Sequence, residues 1–99
     1  MILYRAMSEA EAKATLRHHG PAFVRRWKWF SHDPVWVRGR VMDGRFNRSD
    51  AKGYRYTVLL SFTIPDEDAR WFKRGRIEWA LDRRVCHQVR WGEIRVVSA

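Results

Sequence analysis

Tyr54-Arg55-Tyr56-Thr57-Val58-Leu59-Leu60-Ser61-Phe62-Thr63-Ile64 puts Tyr54, Tyr56, Val58, Leu60, Phe62 and Ile64 at every second position. A period of two lines up one face of an extended chain, so this stretch reads as a β-strand and as the central strand of a sheet. Burying apolar side chains at roughly 1.5–3 kcal/mol each would make it the largest single contributor to the core. Immediately after it, Pro65-Asp66-Glu67-Asp68 loads carboxylates onto a helix start, and Lys73, Arg74 and Gly75 close that helix. Acid first and base last suits the helix dipole and predicts a short helix at about 66–74.

Upstream, Ile2-Leu3-Tyr4-Arg5 reads as a short first strand. Ser8-Glu9-Ala10-Glu11 fits a capping box, in which Ser8 accepts from the Glu11 amide while Glu11 reaches back to the Ser8 amide. The helix it opens is expected over about 9–19, with Gly20 as left-handed terminator and Pro21 beyond it. From Ala22 to Phe30 the chain alternates again, with Phe23, Trp27 and Trp29 toward the core and Val24, Arg26 and Lys28 outward. The segment 34–42 is ambiguous: Asp33-Pro34 looks like a helix start, but Val35, Val37 and Val41 at even spacing favour a strand. Asp43-Gly44 opens a polar, basic loop through Gly53. At the other end, Ile77, Trp79 and Leu81, then Val85, His87, Val89 and Trp91, then Ile94 and Val96, predict a meander of three strands. The expectation is a single α+β domain over residues 1–99, with a mostly antiparallel or mixed sheet of five to seven strands and two helices.

Ninety-nine residues make one small core, and 45% hydrophobic residues are enough to fill it. Cys86 is the only cysteine, so no internal disulfide is available. No run of about eighteen apolar residues occurs, which argues against a membrane span, and Arg5 interrupts Met1-Ile2-Leu3-Tyr4 too early for a secretory signal. A cytoplasmic protein is expected. The net charge of +9 attracts acidic macromolecules, whether nucleic acid or acidic protein. Residues 34–57 are the most lopsided, with six basic and two acidic side chains.

Several familiar chemistries lack their residues. His18, His19, His32, His87 and Cys86 show none of the spacings of a zinc site, and no metal is expected. Cys86 and His87 are neighbours whose side chains would point to opposite sides of a strand, which is wrong for a nucleophile and its base. Glycine-rich phosphate loops are absent as well. What does recur is the interleaving of bases with aromatics, at Arg25-Arg26-Trp27-Lys28-Trp29-Phe30, at Arg45-Phe46 and at Arg70-Trp71-Phe72-Lys73. With Arg38, Arg40, Arg48 and Lys52 these form a candidate surface for nucleic acid, where cations track phosphates and rings stack on bases.

Three stations taken in order carry a resemblance. Leu3-Tyr4-Arg5 on a first strand, Trp29-Phe30-Ser31 ending a second, and Trp91-Gly92-Glu93-Ile94-Arg95-Val96 on a late strand are similar to the Arg, Ser and Glu positions of mono-ADP-ribosyltransferase-like domains. Tyr4-Arg5-x-Met7-Ser8-x-x-Glu11, followed by Lys28-Trp29-Phe30 and a strand ending Ile64-Pro65, resembles short bacterial and phage-borne members of that superfamily. The resemblance implies a small domain split around a nicotinamide cleft, with NAD as co-substrate and a macromolecule as target. It implies that Arg5 holds the diphosphate, that Ser31 supports the cleft, and that Glu93 stabilises the cationic centre formed as nicotinamide leaves. Trp29, Phe30 and His32 would line the cofactor. Ser31-His32-Asp33 stands where the family has Ser-Thr-Ser, and Trp91 where it has a second acid or amide. Beside this reading stand a basic nucleic-acid-binding module and a non-catalytic accessory protein of a phage or mobile element that binds an acidic host protein.

Overall fold

A computed structural model describes residues 1–22, 27–43, 49 and 52–97. The chain is α+β. Its five strands are β1 (Ile2–Met7), β2 (Trp27–Ser31), β3 (Val58–Thr63), β4 (Glu78–Asp82) and β5 (Ile94–Val96). They form one sheet in the order β4-β2-β1-β3-β5, with every neighbouring pair antiparallel. The central position belongs to β1 rather than to β3, although β3 pairs with β1 along its whole length, from Ile2 opposite Thr63 to Met7 opposite Val58. Within β3 the burial is two-sided: Leu60 and Phe62 point to one core and Leu59 to another, while Tyr54 lies outside the strand and is exposed.

Helix α1 (Glu9–His18) starts as the capping box predicts, with Ser8 Oγ accepting from the Glu11 amide. The left-handed residue at its end is His19, φ 54°, one position before Gly20. Segment 34–42 is helical, which corrects the strand expectation. Helix α2 (Pro34–Val37) runs on as a wider π-type turn through Arg38–Met42. Asp33 decides this: its Oδ1 accepts from the Val35 and Trp36 amides at 3.0 and 3.1 Å, and Pro34 suits the first turn. Val37 and Val41, four apart, fit a helix face as well as a strand face, and both join the cluster of Ala6 and Leu59. The last helix, α3 (Asp66–Ala69), is shorter than the 66–74 span expected.

The expected meander does not form, since β4 and β5 occupy opposite edges of the sheet and residues 83–91 turn between them. Asp82 draws the chain into that turn: its Oδ1 accepts from the Arg84 and Val85 amides, and the Val85 carbonyl then accepts from Gln88. Val89 is buried all the same, because it packs against the main core from this turn.

Two layers cover the sheet. Leu3, Met7, Phe30, Leu60, Phe62, Trp79 and Leu81 face α1 and α3 through Ala12, Ala69 and Phe72. Phe30 is the hub there, with its ring edge-on to Phe62 and Phe72 and stacked on Trp91. On the other side Tyr4, Ala6 and Leu59 face α2 through Trp36, Val37 and Val41. The described residues contain no helix long and apolar enough to cross a membrane.

Candidate functional site

The seam between β1 and β2 differs from every other pairing in the sheet. Where β1–β3 and β2–β4 are each zipped over five or more residue pairs, β1 and β2 pair only at Tyr4 and Ser31. Beyond that point Arg5 takes over, its Nη1 donating to the Trp29 carbonyl at 3.3 Å. A side chain thus closes a gap that ladder bonds close elsewhere.

Beneath the gap lies a cluster of three buried charges. Arg5 donates to Glu11 through Nε at 2.9 Å and Nη2 at 3.2 Å, a bidentate pair. Lys28 Nζ sits 2.9 Å from the same Glu11 Oε1. The three side chains are 10%, 10% and 7% exposed, in the order Arg5, Glu11, Lys28. Here the sequence reading inverts. Lys28 is buried and Trp27 and Trp29 are 43% and 50% exposed, because Glu11 rewards the lysine for pointing inward. Glu11, expected to reach back to the Ser8 amide, has its carboxylate bonded to the two cations. Burial pushes the Glu11 carboxyl up, but the Arg5 charge and the hydrogen bonds from Arg5 and Lys28 outweigh it and hold the group below its usual range. Burial pulls the Lys28 ammonium down, the Arg5 charge adds to the effect, and Glu11 offsets only part of it.

A cavity of about 430 Å³ opens over this cluster on the α2 side. Tyr4, Arg5 and Ala6 of β1, Trp27, Trp29 and Phe30 of β2, and Trp36, Val37, Arg40 and Val41 of the α2 segment line it, together with Tyr56 and Glu78. Its rim is stiffened by cations lying over rings. The Arg40 guanidinium is 5.5 Å from the Trp36 ring centre, and that of Arg74 is 4.7 Å from Trp27. From below, the Arg5 guanidinium lies 5.9 Å from the Tyr56 ring centre.

Glu78 is the residue the sequence reading missed. It stands directly opposite Ser31 in the β2–β4 pair, and Ser31 stands opposite Tyr4 in the β1–β2 pair, so the three share one row and one face of the sheet. Directly opposed side chains have their Cβ atoms about 4.5–5.5 Å apart. Ser31 is fully buried, with Oγ accepting from the Asp33 amide at 3.2 Å. The one signal for Glu78 was a carboxylate alternating with Ile77 and Trp79, which tells nothing until the strand's partner is known.

The other expected site residues separate. Arg5, Trp29, Phe30, Trp27 and Arg40 line the cavity, although the Phe30 ring is committed to the core. Lys28 lies behind it. His32 is exposed and edge-on to Trp79 at 5.7 Å, off the cavity wall. Glu93 is exposed just before β5, paired with Arg95, and is no part of the cavity. Two strands, β1 and β3, stand between β2 and the β5 edge. Arg38 and Lys52 are not wall residues, and Arg25, Arg26, Arg45 and Arg48 lie outside the described residues. Among the described residues no group of three or more His, Cys, Asp or Glu side chains is placed to hold a metal ion. Compared with known proteins, the chain matches no family model, no curated protein and no solved structure.

Proposed function

We propose that this is an ADP-ribosyltransferase-like protein that takes NAD as co-substrate in the β1–β2 cleft, with Glu78 in place of Glu93 as its acidic station. One observation carries the reading: an arginine of the first strand and a carboxylate opposite the serine of the second strand line the same cavity. An excess of buried positive charge beneath aromatic walls fits a ligand that joins a diphosphate to a flat ring. Arg5 and Arg40 attract the diphosphate, and the exposed Trp29 suits a stacked ring. Ser31 anchors the end of β2 through the Asp33 amide and so holds the strand that faces Glu78. The Glu78 carboxylate stabilises the positive charge that builds on the ribose as nicotinamide departs with the bonding electron pair. The target is an acidic macromolecule, in keeping with the +9 charge, and the protein works in the cytoplasm with Cys86 as a free thiol.

The test is NAD turnover together with NAD-dependent thermal stabilisation. Glu78→Gln should abolish turnover and keep stabilisation, while Glu93→Gln should leave both unchanged. Loss of turnover in Glu93→Gln with retention in Glu78→Gln would overturn the assignment, and absence of both signals in the unsubstituted protein would end the enzyme reading. A second reading is favoured by the Arg74–Trp27 stack beside half-exposed Trp29, which is a platform for an unpaired base. Single-stranded oligonucleotide binding that weakens steeply with salt would support it, and no binding at low salt would remove it.

A further inference from the structure

We infer that Lys28, although it does not line the cavity, makes the cleft a site for phosphate anions by sharing Glu11 with Arg5 and leaving the buried cluster one positive charge in excess. The inference rests on the cleft being the ligand site of the proposed function and names the group that charges it.

The geometry leads there by counting. Arg5 and Lys28 are cations, Glu11 is the one carboxylate between them, and all three are nine-tenths buried. On the cavity wall Arg40 and Glu78 contribute one charge of each sign, so the excess remains. Water screens such an excess poorly at this depth, and among the described residues Glu11 is the one carboxylate in an ion pair with Arg5 or Lys28. Arg5 also has donors to give. Of the five N–H groups on a guanidinium, three are used, two on Glu11 and one on the Trp29 carbonyl. The remaining two belong to Nη1 and Nη2, and Arg5 is the residue of the cluster that reaches the cavity wall.

The division of labour follows. Without Lys28, Arg5 and Glu11 form a neutral pair whose outer donors act on a ligand only as dipoles. With Lys28 on Oε1, the carboxylate is divided between two cations, and the Arg5 edge facing the cavity presents a net charge. Lys28 is therefore a positioning residue that acts through Glu11 and Arg5. A ligand with two or more negative charges at one end gains most, which selects a diphosphate over a carboxylate or a neutral sugar.

Inorganic pyrophosphate is the probe, titrated at constant ionic strength and read by calorimetry and by intrinsic tryptophan fluorescence, to which the cavity residues Trp27, Trp29 and Trp36 contribute. The unsubstituted protein should bind it, Lys28→Met should bind about tenfold more weakly, a difference of about 1.4 kcal/mol, and Lys28→Arg should restore binding to within about threefold. Lys28→Gln is a second neutral variant that can still donate to Glu11, so a folding defect in Lys28→Met does not decide the outcome. Equal affinity in a folded neutral variant and in the unsubstituted protein would overturn the inference, as would no binding of pyrophosphate by the latter. If pyrophosphate binds with this dependence on Lys28 but NAD fails to displace it, the charge inference stands and the NAD reading falls.

Discussion

Removing the carboxylate of Glu11 and removing the ammonium of Lys28 should have very unequal consequences, although each deletes the same 2.9 Å ion pair. Glu11→Gln leaves two buried cations facing each other, with a neutral amide where their shared counter-charge stood. Breaking a buried ion pair from one side in this way costs about 3–5 kcal/mol. A domain of this length has a total stability of only about 5–15 kcal/mol, and each kcal/mol moves the midpoint by about 4–8 °C. The expected fall in Tm is therefore roughly 12–40 °C. Lys28→Met instead leaves a bidentate Arg5–Glu11 pair with balanced charge, removes the desolvation that pulls the lysine down, and keeps an unbranched side chain of similar length. Its effect should lie within about 1 kcal/mol of zero. Thermal and urea unfolding followed by far-UV circular dichroism measure both. A Lys28→Met penalty as large as that of Glu11→Gln would refute the idea that the cluster carries one cation more than it can hold.

The pH dependence gives the same contrast with signs that can be worked out in advance. Glu11 titrates below its ordinary value when folded, so its contribution is complete above that ordinary value, 4.5, and is lost as pH falls through the depressed one. Lys28 is also depressed when folded, from 10.5, so between its folded and unfolded values the unfolded chain holds more protons. Stability from this group therefore rises with pH across a window that ends near 10.5, and Lys28→Met should flatten that rise relative to the unsubstituted protein.

Two further substitutions test the α2 wall of the cleft and the β5 edge of the sheet. Asp33→Ala removes the acceptor of two amides at the start of α2, which should cost about 0.5–2 kcal/mol and, because Trp36 sits in that first turn, shift the tryptophan emission. Gly92→Ala would place a methyl group 2.9 Å from the Thr63 carbonyl oxygen in the approach to β5. Backbone must move to admit it, at about 1–3 kcal/mol in urea unfolding; a neutral result would mean that this edge of the sheet yields easily.

How much of this could be read from residues alone depends on whether a signal is local. The Ser8 cap, the start of α1 at Glu9 and the alternation of Val58, Leu60 and Phe62 in β3 are local, and they stand where capping chemistry and periodicity put them, whereas Tyr54 and Tyr56 fall before the strand. The α2 segment failed because Val37 and Val41 satisfy both periods, so that Asp33 had to decide, and a cap weighs little beside three β-branched residues when read in sequence. The turn at 83–91 failed because alternation there continues while the Asp82 carboxylate takes the backbone amides that a strand would have offered to a neighbour.

The orientation of β2 is the more instructive case, because hydrophobicity pointed the wrong way. A strand with Trp27 and Trp29 on one side and Lys28 on the other should bury its tryptophans, and it does the reverse because a carboxylate seventeen positions earlier in the chain waits on the far face. That choice determines what the cleft is. Turning Lys28 inward exposes two tryptophans as walls, places a second cation behind Arg5, and leaves the β1–β2 seam to be closed by the Arg5–Trp29 bond instead of a ladder. A ligand bound as proposed would then draw on the same guanidinium as the strand pairing. A site of this kind reaches a reader of the sequence only through the partner of its strand, which is also why Glu78, opposite Ser31, escaped notice while Glu93, in a familiar order of motifs, drew it.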